Sequence, residues 1–296
     1  MSMKRNSILA AAIVVLLTVA CGGPSVREKK QKANAQLEAV YNSKDYQRML
    51  SLADSLEKVG DLSTVKANYW RGYAYDHMKK KDLAEKYWKI SVAAGEASED
   101  VEDNIEYAKS ASRLANIMCV RGDYDETMKM AQTAVDRLKT QKCDTTSDYM
   151  NLLIYIGCCQ VVTGQQTDKS RHGLYCAYDK HLENVRKKHT DGVYKDAIAG
   201  LITVAYYCVK AHKYEEALYY TRHFGELLGE YELRPGISEE YVDRQLGRYD
   251  IYKAQALKGL GRNQEAAETF KAFQATQFSK SSEGKGLAEN YLKMDL

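Results

Sequence analysis

Proline is almost missing from this chain: Pro24 and Pro235 are the two in 296 residues. A proline inside a helix removes a backbone donor and clashes with the preceding turn, so the chain is nearly free of its strongest helix breaker. Phenylalanine is scarce too, at 4 against 23 tyrosines. Tyrosine packs a ring while its hydroxyl reaches water or a partner, which suits faces that are half core and half binding surface. An excess of one charge is absent as well. The 43 basic residues stand against 40 acidic ones, and Lys4 and Arg5 fall in a segment expected to be removed. Nucleic-acid binders usually carry a basic stripe. Here the densest basic runs, Arg27 to Lys32, Lys79 to Lys81 and Arg186 to Lys188, are short and bordered by acids. They read as solvated helix faces, and no nucleic-acid partner is expected.

The sequence also lacks the usual marks of catalysis. It has no glycine-rich phosphate loop, nucleophile elbow or His-Glu-x-x-His helix. His181 and Glu183 stand two apart, so on a helix they point to different sides. Cys119, Cys143, Cys158, Cys159, Cys176 and Cys208 show no metal-site spacing. An exported chain could oxidise them, but five of the six fall on apolar helix stripes, where a free cysteine acts as a small hydrophobe. Buried thiols are expected, with no cofactor, no metal and no enzymatic activity.

The first residues are the clearest motif. Met1 to Asn6 carries two positive charges, Ile8 to Ala20 is apolar except for Thr18, and Cys21 follows at once. Thirteen residues are too few to span a bilayer as a helix, which takes roughly 20. The layout is that of an export signal. It resembles a bacterial lipoprotein signal, with Thr18 where such signals favour leucine. The resemblance implies removal of residues 1–20, acylation of Cys21, a membrane contact through that lipid, and a short polar tether over 21–28. No acidic cluster of the kind that sends lipoproteins to the cell surface follows Cys21, so a periplasm-facing anchor in the cell envelope is expected.

Beyond the tether, small residues or their stand-ins recur in pairs twelve positions apart. The pairs are Leu37 and Met49, Gly72 and Ala84, Ala115 and Thr127, Ala205 and Ala217, and Ala254 and Ala266. Two helices approach to about 8–10 Å only where small side chains meet, so each pair marks one helix hairpin. Expected hairpins are Val26–Tyr41 with Tyr46–Val59, Ser63–Met78 with a helix ending near Ala93, and Ile105–Val120 with Tyr124–Thr140. Asp148–Thr163 then pairs with a displaced Ser170–Lys188, because Lys169, twelve after Gly157, is not small. An insertion is read at Gly164–Thr167. Gly192–Ala211 with Tyr214–Tyr231 and Glu239–Leu260 with Asn263–Phe278 follow. Ser281–Leu296 ends the chain as a first helix lacking its second, which a binding partner would complete.

The pattern resembles tetratricopeptide repeats, whose period is about 34 residues. Here the connections grow, from 35 positions between Leu37 and Gly72 to 49 between Ala205 and Ala254. The fold class expected is therefore all-α, a right-handed α-solenoid of irregular tetratricopeptide-like hairpins over residues 29–296. The segments Arg113-Leu114-Ala115, Gly122-Asp123-Tyr124, Cys143 to Tyr149, Tyr155 to Gln160 and Tyr194 to Gly200, together with the lipoprotein-like start, resemble the exported sensory region of tetratricopeptide-bearing bacterial sensor kinases and regulators. That resemblance implies a helical-repeat region in the periplasm that contacts a protein or peptide. It carries over no kinase activity.

In such repeats the first helix of each hairpin lines a groove. On this register the lining is Tyr69, Tyr73, Asp76 and His77, then Ser112 and Asn116, Asn151 and Ile154, Tyr206 and Lys210, and Arg248, Gln255 and Lys258. The side chains suit a peptide: rings to stack, amides to bond its backbone, and bases at the far end to attract carboxylates. The carboxylate clamp of some co-chaperone repeats is not expected, since Asn116 alone holds a matching place and Ser112 stands where a lysine would be. Two functions fit: a lipid-anchored sensory or scaffold protein, and a lipoprotein that assists assembly of outer-membrane β-barrels or secretins.

Overall fold

The computed structural model describes residues 25–143, 146–165, 167, 182–183, 186–187 and 191–294. The stretch read above as one repeat domain falls into two compact units, divided between Tyr107 and Ala108. Cys21, Cys176 and the signal-like segment lie outside the described residues. Of the displaced helix Ser170–Lys188, Leu182, Glu183, Arg186 and Lys187 are described, all four as helix.

The N-terminal unit contains α1 (Val26–Ser43), α2 (Tyr46–Lys58), α3 (Thr64–His77), α4 (Lys81–Ala97) and a 3₁₀ turn (Val101–Asp103). The C-terminal unit holds most of α5 (Asn104–Arg121), then α6 (Tyr124–Thr140), α7 (Ser147–Thr163), α8 (Asp191–Lys210), α9 (Tyr214–Glu232), α10 (Glu239–Gly259) and α11 (Asn263–Ala275). A 3₁₀ turn (Phe278–Lys280) and α12 (Ser282–Leu292) close it. Among the described residues there is no strand. No described helix is long and apolar enough to cross a membrane.

One template builds the hairpins. Seven residues after each first small position the backbone turns left-handed: Lys44 after Leu37, Lys79 after Gly72, Gly122 after Ala115, Gly164 after Gly157, His212 after Ala205 and Gly261 after Ala254. In five of the six turns the next amide reaches back to a carbonyl five residues earlier, as in Lys80 to Tyr75, Asp123 to Met118 and Lys213 to Cys208. That bond satisfies an orphan carbonyl at the helix end. Where the second helix follows directly, the second small residue bonds the turn in its first turn: Ala84 N–H to Lys80 O, Thr127 to Asp123, Ala217 to Lys213 and Ala266 to Arg262. Twelve positions is thus the length of a helix end, a left-handed turn and a helix start. Gly164, with Gln165 N–H on Gln160 O, follows the same template.

The small positions lie at the crossings. Leu37, Met49, Ala84, Ala115, Thr127, Ala205, Ala217, Ala254 and Ala266 are all fully buried. In the N-terminal unit Leu37, Met49, Ala67 and Ala74 share one core, and Trp88 of α4 lies over Gly72 of α3. In the C-terminal unit Ile198, Leu201, Phe224, Tyr231, Ile251 and Phe273 belong to another.

Polar caps fix the helix starts. Ser63 accepts from Lys66 N–H and donates to the carboxylate of buried Asp103, which also accepts from Ser98. Thr146 caps α7 through Tyr149 N–H, as the Thr/Ser run predicts. Three helix ends differ from expectation by three residues or more. The last helix, expected over Ser281–Leu296, closes at Leu292, where Lys293 N–H caps it on Glu289 O and Tyr291 O. The helix expected to stop near Ala93 continues to Ala97, because buried Gly95 packs against the Tyr107 ring. The one expected to reach Phe278 stops at Ala275, because Asp243 of α10 accepts from both Gln277 and Phe278 N–H and pulls the chain into the 3₁₀ turn.

Candidate functional site

In the N-terminal unit, α1, α2 and α3 bring six rings together. His77 stacks on Tyr46 at 4.9 Å between ring centres and lies 4.3 Å from Tyr73, which meets Tyr41 at 5.2 Å. Trp70 and Tyr69 complete the cluster. His77 and Tyr41 are its exposed members. Burial, and then the hydrogen bond with Tyr41, push the Tyr73 phenol well above its usual range. The expected lining is partly present: Tyr73, Asp76 and His77 keep some exposure, but Tyr69 is buried and packs behind the surface. Sequence reasoning missed Tyr41, Tyr46 and Trp70. Tyr41 and Tyr46 flank the α1–α2 turn at Lys44, a juxtaposition the hairpin template makes visible.

In the C-terminal unit the first helices form a row. Asn116 of α5 donates to the Tyr155 hydroxyl of α7 at 2.7 Å, and one turn on, the sulfurs of Cys119 and Cys159 stand 3.1 Å apart. Both contacts advance together along the two helices, so α5 and α7 run parallel. Ile154 and Cys158 of α7 share a core with Ile198 and Leu201 of α8. Tyr206 of α8 meets Tyr252 of α10 at 6.0 Å. Arg248, Gln255 and Lys258 of α10 contact Glu283, Leu287 O and Tyr291 O of α12 in order, so these helices are parallel too.

This row sorts the remaining expected residues. Asn116, Tyr206 and Lys210 are exposed and Asn151 is half-buried. Ile154 is a core side chain and Ser112 is buried, so neither meets a ligand at the surface. Gln255 is buried with its amide on Leu287 O. The bases expected to attract carboxylates at the far end are engaged within the chain. Arg248 grips Glu283 through Nε at 3.0 Å and Nη2 at 2.7 Å, and Lys258 donates to Tyr291 O while its ammonium lies over that ring. A cation beside the last carbonyls of a helix suits the negative end of its dipole.

Lys210 lines an open recess. A cavity of about 300 Å³ lies between α8, the following turn, α10 and α12, lined by Tyr206, Val209, Lys210, His212, Tyr214, Gln255, Leu287, Asn290 and Met294. Among the described residues no carboxylate lines it. Lys210 donates to the Tyr124 hydroxyl at 3.0 Å, a neutral partner that leaves its charge uncompensated and is the main reason its ammonium titrates above the usual lysine range. His212 and Tyr214 share a 2.6 Å hydrogen bond at the rim. The volume is at the lower end for small-molecule or side-chain pockets. Sequence reasoning found Tyr206, Lys210 and Gln255 but missed the wall from α12, although Leu287, Asn290 and Met294 recur at helical spacing. Among the described residues, no group of three or more His, Cys, Asp or Glu is placed to hold a metal ion.

Neither protein-family models nor curated protein sequences give a match to this chain. Solved structures do. The chain is similar to PilW, a widely conserved type IV pilus biogenesis factor, with a TM-score of 0.53 at 16% identity, covering 90% of this chain and 100% of that one. It is similar to BtubC from P. vanneervenii, with a TM-score of 0.53 at 11% identity over 88% of this chain and 94% of that one. The apo form of RapI gives 0.51 at 13% identity over 88% and 99%. At these identities the likeness concerns the fold. The fold is all-α, built of tetratricopeptide-type helix hairpins.

Proposed function

We propose that this chain is a non-enzymatic, lipid-anchored repeat protein of the cell envelope that presents its first-helix faces to a peptide or protein segment, in a sensory or scaffolding role. The observation that carries the reading is the row of first helices in the C-terminal unit. Its outward residues supply an amide at Asn116, and a ring and a cation at Tyr206 and Lys210, the last two lining a recess with no acid among its described wall residues. Such a surface bonds peptide backbone, stacks side chains and favours negative charge. The exposed rings Tyr41 and His77 give the N-terminal unit a second contact surface.

The anchor rests on Cys21 and the sequence before it. Cells fed labelled palmitate should label the wild-type chain, and Cys21→Ala should abolish both label and membrane retention. Label persisting on that variant would remove the lipid from the account.

A second reading, an envelope-assembly lipoprotein, draws on the match to the full length of a type IV pilus biogenesis factor. Depletion separates the two. A narrow change in transcription supports sensing, and loss of many β-barrels or secretins from the outer membrane supports assembly.

A further inference from the structure

The sulfurs of Cys119 and Cys159 are 3.1 Å apart and both residues are fully buried. They belong to α5 and α7, the parallel helices whose outward side carries the Asn116–Tyr155 hydrogen bond one turn earlier. A disulfide requires sulfurs at about 2.05 Å, so closing this pair asks for an approach of about 1 Å between two helices already in register. Two other described thiols, Cys158 and Cys143, are less well placed. Cys158 is next to Cys159 in sequence, and neighbours on a helix face different sides. Cys143 is half-buried beyond the end of α6 with its thiol on Gln141 O.

We propose that Cys119 and Cys159 form a disulfide in oxidising surroundings, stapling α5 to α7 and fixing the Asn116–Tyr155 part of the binding face. Full burial closes the folded pair to reagents, so the bond forms while α5 and α7 dock. The oxidant is a disulfide, either small or borne by a protein oxidase. The Cys119 thiolate attacks one oxidant sulfur, the other leaves as a thiolate, and a mixed disulfide remains. Cys159 then loses its proton and attacks the Cys119 sulfur, expelling the second oxidant thiolate. The chain loses two electrons and two protons, and the oxidant gains both as two thiols. Cys119 suits the first step. As the two sulfurs come together, the contact with Cys159 draws the Cys119 thiol below the usual cysteine range despite burial. The same contact holds Cys159 protonated. A thiolate attacks faster than a thiol.

Formation in the cell rests on the envelope reading, since cytosolic thiols are kept reduced. The test therefore has two arms. In the first, the full-length reduced and denatured chain is refolded in a glutathione redox buffer, alkylated, digested and mapped by mass spectrometry. A linked Cys119–Cys159 peptide is expected, along with a melting temperature several degrees above that of the same chain refolded under reducing conditions. Cys119→Ala should lose the linked peptide and return Cys159 as a free thiol. Mapping the wild type keeps the test valid if that variant fails to fold. Alkylation of both cysteines in the wild type, or linkage of either to another cysteine, overturns the proposal. The second arm maps thiols in cells quenched with acid. Free Cys119 and Cys159 there, with a linked pair after refolding, would contradict the envelope location and leave the disulfide proposal standing.

Discussion

At Gly72 the hairpin leaves no room for a methyl group. A Cβ there would run into the indole of Trp88, which is itself buried across the α3–α4 crossing. Overpacking of this kind costs about 1–3 kcal/mol, so Gly72→Ala should lower denaturant stability by about 2 kcal/mol, while Gly229→Ala, with open space at its Cβ, should raise it slightly through helix propensity. Equal effects would mean that the crossing is looser than described. A second residue-scale effect is electrostatic. Burial raises the Asp250 carboxyl to about 6, against the pull of Lys253. The folded state then holds a proton that the unfolded state has released between about pH 4 and 6, so stability rises as pH falls through that window. Asp250→Asn should be more stable at pH 7, by about 1 kcal/mol after allowing for solvent screening. Its melting temperature should gain less than the wild type's between pH 7 and pH 5. A wild-type gain unchanged in the variant would assign the effect to Asp148 and Asp196, whose carboxyls partial desolvation also raises.

At the scale of elements, the repeated device is the left-handed residue seven positions after the first small one. Gly122 has φ +98°, a region that suits glycine and penalises a Cβ. Gly122→Ala should cost about 1–2 kcal/mol by chemical denaturation. A neutral result would show that the α5–α6 turn tolerates another geometry. This device also explains what the sequence made legible. The pairs of small residues located five hairpins, and most helix ends fell within a few positions of expectation, because a fixed turn converts spacing directly into geometry. Two of the ends that moved, at Ala97 and Ala275, depend on contacts across elements: Gly95 with Tyr107, and Asp243 with the amides of Gln277 and Phe278. No local pattern announces these. The candidate surface was legible only in part for the same reason. A first-helix register brings Tyr206 and Lys210 outward, but whether Arg248 is free depends on Glu283, 35 residues later, and whether Gln255 is exposed depends on α12 lying over it.

For the whole molecule, the central claim is that the first-helix face beside the α8–α12 recess is a contact surface for another chain in the cell envelope. Length, near-neutral charge and tyrosine content agree with a binding protein, and the hairpin architecture supplies the faces. The most direct measurement is photo-crosslinking in intact cells, with a crosslinking amino acid in place of Tyr206 on the α8 face and, as control, in place of Lys271 on the exposed side of the second helix α11. The account predicts one discrete adduct at position 206, weakened severalfold by Lys210→Glu in the same chain, and none at position 271. Equal adducts at both positions, or an adduct at 206 indifferent to Lys210→Glu, would contradict it.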